Sequence, residues 1–246
     1  MEEPMDLLAE EDYLRQRFNP KHGDPLYLHL SDLLLAIRDM LPANVSRVLD
    51  YGSGGSPYRL LFKNAIYHRA DLSGRDLDFK FGPDAKLPPS AEGYDLVLST
   101  QVLEHVESPA TYLHECYRVL KPNGHLLLTT HGIFEEHGCP YDYWRWTSFG
   151  LQKIVEAAGL KVTVTKKITT GPRAVVALAE RQFDALRSYP VGLYAHFLTL
   201  GIRLIQRLGA HRLHRTCDLT FKKYRVVDGK QVDGIFIAIG ILAIKK

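Results

Sequence analysis

Cysteine is scarce in this chain. Cys116, Cys139 and Cys217 are scattered, form no Cys-x-x-Cys pair and build no disulfide framework, which fits a reducing compartment. No apolar run reaches membrane-spanning length, because the longest, Val191 to Leu208, is interrupted by His196, Arg203, Gln206 and Arg207. The start, Met-Glu-Glu-Pro-Met-Asp, lacks the basic residues and apolar stretch of a signal peptide. A soluble cytoplasmic protein is therefore expected. Large excess charge is also missing: the net is +3, so composition gives no reason to expect a nucleic-acid partner. Gly-x-Ser-x-Gly is absent, which removes the serine-hydrolase elbow. Repeats and low-complexity tracts are absent too.

What the chain does have is 246 residues, 46% of them hydrophobic, enough for one generous α/β domain with added elements. Its charge is uneven. Leu160 to Arg225 holds thirteen Lys and Arg against three acids, while the first dozen residues are acidic. A basic C-terminal third suits an anionic substrate or peripheral membrane contact, or is simply a solvated face.

The most informative stretch is Val48-Leu49-Asp50-Tyr51-Gly52-Ser53-Gly54-Gly55-Ser56-Pro57. An apolar strand, Val45 to Leu49, ends in an acid and enters a glycine loop. Ser56 and Pro57 read as the cap and first residue of a helix over Tyr58 to Lys63. Such a loop lets backbone approach a nucleotide-like ligand at the end of a parallel sheet. The third glycine of a dinucleotide fingerprint is replaced by Pro57. A second strand, Ala65 to Ala70, ends at Asp71, about twenty residues after Asp50, where an acid meets ribose hydroxyls.

Further strands are expected at Tyr94–Ser99, His125–Thr130, Lys161–Thr169 and Ile235–Ile244, with helices from Ser108-Pro109 to Leu120 and ending near Gly159. The connection from Leu72 to Ser90 is too rich in Gly, Pro and Asp for a full helix. Helices are also expected at Val175–Leu186 and Val191–Leu208. The alternation predicts a doubly wound, mostly parallel sheet with helices on both faces. Residues 1–42 read as an N-terminal helical cap, broken near residues 19–25. Residues 43–170 with 230–246 read as the ligand-binding domain, and 171–229 as a helical insertion or lid.

Asp50 to Gly55, Asp71, Tyr94 to Ser99, Val102-Leu103-Glu104-His105-Val106 and Arg118-Val119-Leu120-Lys121-Pro122-Asn123-Gly124, in that order, resemble class I S-adenosylmethionine-dependent methyltransferases of the type 11-like group. The resemblance covers about Ser46 to Thr165. It implies a Rossmann-like, seven-stranded sheet whose last strand is antiparallel, and S-adenosylmethionine as cofactor, bound by Asp50, Gly52, Ser53, Gly54, Asp71, Leu72, Asp84 and Gln101. Asp84 would meet the adenine amino group, with Asp78 as its competitor. The segment Pro140-Tyr141-Asp142-Tyr143-Trp144-Arg145-Trp146-Thr147 looks like the signature of one bacterial branch.

The implied acceptor is a small molecule, such as a sugar or glycan precursor; no Asp-Pro-Pro-Tyr motif of base-methylating enzymes occurs. In-line methyl transfer needs a nucleophile held close, and a base helps if that nucleophile is a hydroxyl. His131, at a strand exit, and His137 and Asp142, on the loop after it, are the catalytic candidates. His105 reads as structural. Tyr141, Tyr143, Trp144 and Trp146 either stack on a substrate or anchor the loop, and Asp142 can pair with Arg145. His131, His137 and Cys139 do not make a zinc set by spacing, so no metal is expected. The alternatives are an NAD(P)-dependent oxidoreductase and a non-catalytic nucleotide-binding protein of the same fold.

Overall fold

The computed structural model describes residues 7–185, 209–231 and 234–246. The first 40 residues hold two helices, α1 (Leu7–Phe18) and α2 (Tyr27–Met40). The turn between them is fixed by Asp24, whose carboxylate accepts two bonds from Arg15, each 2.8 Å, and one from the Lys21 amide. Helix α2 is apolar on most sides and is buried along nearly its whole length, so it packs on the sheet as a core element.

Eight strands form one sheet: β1 (Arg47–Tyr51), β2 (Ile66–Asp71), β3 (Phe79–Lys80), β4 (Tyr94–Thr100), β5 (Leu120–His131), β6 (Leu160–Thr170), β7 (Val226–Asp228) and β8 (Phe236–Lys245). Their order is β3-β2-β1-β4-β5-β8-β6-β7. Strands β1 to β5 pair in parallel, and β8 inserts antiparallel between β5 and β6. The doubly wound fold and the antiparallel last strand are as expected. The sheet has eight strands rather than seven: to the six located in sequence it adds β3 and β7, two- and three-residue edge pieces too short to show periodicity.

Alternation along the central strands divides the core into two layers. Leu49, Tyr51, Val97, Leu126 and Leu128 face α3 (Pro109–Val119) and α4 (Ser148–Ala157). Val48, Leu96, Leu98 and Leu127 face α2 and the segment around Tyr58, Phe62 and Tyr67. Helix α5 (Gly171–Ala185) follows β6, and residues 209–220 are helical. The expected helix at Val191–Leu208 lies outside the described residues.

The helix expected over Tyr58–Lys63 is instead one 3-10 turn, Arg59–Phe62. Ser56 does not cap it: its φ is +55° and its Oγ accepts a bond from Arg69 Nε at 2.9 Å. No helix N-terminus therefore points out of the glycine loop. The Leu72–Ser90 connection carries only β3, as its composition requires.

Candidate active site

The sheet order reverses between β1 and β4, and a crevice opens beyond the carboxyl ends of these strands. A cavity of about 490 Å³ lies there, within the roughly 300–1,000 Å³ range of small-molecule sites. The glycine loop forms one wall. Its Gly52 and Ser53 amides donate to the Ala70 carbonyl at 2.9 and 3.1 Å, tying the loop to the end of β2. Gly52 has φ +78°, and a Cβ there would come within 2.5 Å of Val102 Cγ2. Gly54, at φ +48°, would meet nothing, so the loop leaves open space on the cavity side.

Asp71 closes β2. Its Oδ2 accepts the Gly54 amide at 2.7 Å and its Oδ1 the Leu72 amide at 2.7 Å. A carboxylate has about four acceptor positions, so two remain for a ligand's hydroxyls. Gln101, just past β4 at φ +56°, donates from Nε2 to Thr129 Oγ1 at 3.3 Å, while its buried Oε1 has no partner. An open glycine cradle, a carboxylate with spare acceptor positions and an orphaned amide oxygen fit an adenosyl-type cofactor.

The facing wall carries imidazoles. His131, at the end of β5, stacks on Phe134 with ring centroids 4.3 Å apart, and His137 meets it edge-on at 4.9 Å. His29 of α2 and His105 of the one-turn 3-10 helix Leu103–His105 also line the cavity. Burial pushes His29 down to about 3 and His131 well below the ordinary histidine value. Behind His131 lies Glu104, fully buried, with Oε1 3.5 Å from His131 Nε2 and Oε2 accepting the Thr130 hydroxyl at 2.7 Å. Burial lifts this carboxyl to about 7.

His137 is delivered by the loop after β5, which is folded by its own side chains. Arg145 bonds the Phe134 and Glu135 carbonyls and grips both oxygens of Asp142 at 2.7 and 2.6 Å. Asp142 Oδ2 accepts the His137 amide at 2.9 Å and lies 3.5 Å from its Nδ1. Arg145 holds this carboxyl well below the usual carboxylate range. The Tyr143 and Trp144 amides donate to the Glu104 carbonyl, and Trp144 Nε1 donates to Val106 at 2.8 Å. Tyr141, Tyr143, Trp144 and Trp146 are not in the cavity lining; Trp144 anchors the loop.

Of the residues singled out from sequence, Gly52, Ser53, Gly54, Asp71, Leu72, Gln101, His131 and His137 meet around this cavity. Three others lie outside its lining. Asp50 faces the α2 layer, 2% exposed, and accepts the Tyr67 hydroxyl at 2.5 Å. Asp84 is exposed and accepts the Lys86 amide at 3.3 Å. Asp142 sits behind His137. The cavity also takes Tyr13 and Arg17 from α1, His29 from α2 and Arg181 from α5. These are helix residues whose spacing reads as ordinary packing, so the sequence alone does not mark them.

A family model described as "Methyltransferase domain" matches residues 15–164. The ubiquinone biosynthesis O-methyltransferase of Cereibacter sphaeroides is 38% identical over 106 residues, 37% of this chain and 43% of that protein. The enzyme of the same name from Maricaulis maris is 33% identical over 102 residues, 34% of this chain and 40% of that protein. These matches thus span less than half the length of either relative. Among solved structures, a SAM-dependent methyltransferase of Thermotoga maritima superposes with TM-score 0.53 at 17% identity, covering 95% of this chain and 99% of that one. The [4+2]-cyclase SpnF superposes equally well, with TM-score 0.53 at 18% identity over 97% and 92%, so the fold by itself does not name a reaction. The family match spans well over half the sequence: the chain belongs to the methyltransferase domain family, class I and S-adenosylmethionine-dependent.

Proposed function

We propose that the protein transfers a methyl group from S-adenosylmethionine to a hydroxyl oxygen of a small molecule. The supporting observation is the single cavity shared by the Gly52–Gly54 loop with Asp71 on one side and the His131–His137 cluster on the other. The cofactor supplies a methyl group already activated on a sulfonium. The chain has to hold donor and acceptor in line and take up the acceptor's proton. In this reading Asp71 accepts from the ribose hydroxyls with its remaining lone pairs, and the Gly52 and Gly54 backbone leaves room for the methionine portion. Leu72 and Gln101 flank it.

His137 is best placed to take the proton. Its Nδ1 contacts the Glu135 carbonyl at 3.2 Å and Asp142 at 3.5 Å, which leaves Nε2 as the free acceptor. Burial lowers its basicity and keeps it unprotonated near neutral pH. Asp142 acts through His137 as a positioning residue.

The oxygen acceptor is favoured by the names of the relatives, both O-methyltransferases. A sugar or glycan precursor remains our narrower reading, drawn from the Pro140–Thr147 segment and the basic third. That third is partly spent on internal ion pairs, since Arg173 and Arg225 bind Asp32, Arg181 binds Glu135 and Lys166 binds Asp39. No helix among the described residues is long and apolar enough to cross a membrane. The family match decides against the NAD(P)-dependent alternative. Calorimetric titration with S-adenosylhomocysteine, followed by incubation with methyl-labelled cofactor and fractionated small-molecule extract, tests the proposal. One saturable site and a labelled O-methyl product are expected. Binding without any labelled product would favour the non-catalytic alternative, and absence of binding would overturn both.

A further inference from the structure

Glu104 Oε1 is a fully buried carboxylate oxygen with no hydrogen-bond partner. Next to it, at 3.5 Å, is His131 Nε2, and one ligand atom each from Glu104, His131 and His137 falls within a sphere where all lie inside 4.8 Å of one another. We propose that Glu104, His131 and His137 form a binding site for one divalent transition-metal ion, set in the histidine wall of the cavity. This deepens the methyltransferase reading and rests on it only for what the ion does.

Three features favour a metal over a plain polar cluster. Metal–nitrogen bonds of about 2.0–2.1 Å at tetrahedral angles put neighbouring donors roughly 3.4 Å apart, and the Glu104–His131 pair already stands at that spacing. His137, half-buried on its loop, brings a ring nitrogen within 4.8 Å of both. Two of the three groups have the outer contacts of a ligating group: Nδ1 of His137 faces the Glu135 carbonyl and Asp142, and the second Glu104 oxygen is held by the Thr130 hydroxyl, while His131 Nδ1 is buried without a partner. The donor set of two imidazoles and one carboxylate suits zinc, manganese, iron or cobalt better than magnesium or calcium, which prefer all-oxygen cages.

A second grouping, His105, His137 and Asp142, has similar spacing but a weaker claim. Both Asp142 oxygens are already taken by Arg145, and one also by the His137 amide. His105 spends its Nδ1 on the Tyr141 carbonyl at 2.7 Å. Held by Glu104, His131 and His137, the ion would occupy the His137 nitrogen that otherwise serves as the base, and would instead make a bound acceptor hydroxyl more acidic. The hydroxyl's proton would pass to solvent, the oxygen would bond to the methyl carbon, and the sulfur–methyl bond would break to leave the neutral thioether.

The test is direct metal binding to the full chain stripped with chelator. Titration with Zn²⁺ and with Mn²⁺ by calorimetry, and with Co²⁺ by its visible absorption, should give one equivalent bound. Glu104→Gln and His137→Ala should each weaken binding tenfold or more, and His105→Gln should change it less than twofold. If Glu104→Gln fails to fold by circular dichroism, His137→Ala read together with His105→Gln still decides. No saturable binding to the parent chain, or unchanged affinity in the folded variants, would overturn the site. A loss confined to His105→Gln and His137→Ala would move it to the second grouping. S-adenosylhomocysteine binding, measured on the same samples, reports separately on the methyltransferase reading.

Discussion

The Gly54 amide donates to Asp71 Oδ2 at 2.7 Å, so the glycine loop after β1 and the acid ending β2 form one unit. The cradle's shape depends on the same carboxylate that we assign to the ribose. Asp71→Ala removes both roles at once. Hydrogen bonds to a charged group contribute about 1.5–3 kcal/mol each, so the loss of even one should lower cofactor affinity by roughly ten- to a hundredfold. Asp71→Asn keeps one acceptor oxygen and should lose less. Titration of the two variants with S-adenosylhomocysteine checks the order, and equal affinity in both and in the parent chain would remove Asp71 from the site.

Gly52 offers a sharper test, because two separate penalties meet there. Its φ of +78° disfavours any side chain, and an added Cβ would also strike Val102 Cγ2 at 2.5 Å. Gly52→Ala should therefore destabilise the fold by about 1–2 kcal/mol from backbone strain, with a further ~1–3 kcal/mol from overpacking. Adding Val102→Ala should return the packing part and leave the strain. A double-mutant cycle in urea reads the difference, and strict additivity would show that the two residues do not touch.

The central strands were legible because their apolar residues alternate between two covered faces. Strand β1 sends Leu49 one way and Val48 the other, and such runs leave few other structures available. Ser56-Pro57 misled for a local reason: the pair has the chemistry of a helix start, but Arg69 claims the Ser56 oxygen and φ is positive. Tertiary contact overrode a local signal there. The strand-end acids show the limit for a site. Asp50 and Asp71 look alike in sequence, but the pleat sends Asp50 toward Tyr67 and the α2 layer, while Asp71 stands at the cavity.

Glu104 was illegible for a different reason. It stands in the Val102–Val106 motif, but nothing in that motif says that the acid is buried, and only the fold sets it against Thr130 and His131. His29 is similar, since one histidine on an apolar helix gives no sign that it faces a cavity rather than the core.

Asp50 predicts a pH dependence of stability. Burial raises its carboxyl to about 7 in the folded chain, against roughly 3.9 when unfolded. Below about pH 4 it is protonated in both states and contributes no slope. Between about 4 and 7 the folded chain holds a proton that the unfolded chain has lost, so stability falls as pH rises. The slope is at most ~1.4 kcal/mol per pH unit, which sums to roughly 4 kcal/mol across the window. Asp50→Asn cannot ionise and should lack this component. Urea midpoints of both proteins at pH 5, 6 and 7 give the comparison, and parallel curves would show that Asp50 ionises in the folded chain as it does in the unfolded one.

Asp32 on α2 predicts the largest loss of stability. It is fully buried and accepts from Arg173 Nε at 2.7 Å, Arg225 Nε at 2.7 Å and Thr169 Oγ1 at 3.0 Å, joining α2 to β6 and α5. Arg173 is itself fully buried. Removing Asp32 leaves buried Arg173 with only Asp218, at 2.9 Å, and breaking a buried pair costs about 3–5 kcal/mol. Asp39→Ala, which breaks only the exposed pair with Lys166, should cost below about 1 kcal/mol. The consequence reaches the cavity, because α2 supplies His29, Leu30 and Leu33 to its wall and α5 supplies Arg181. Asp32→Ala should thus lower the melting temperature by roughly 10 °C and weaken S-adenosylhomocysteine binding, while Asp39→Ala does neither. If both variants melt together, the buried network does not hold these helices in place.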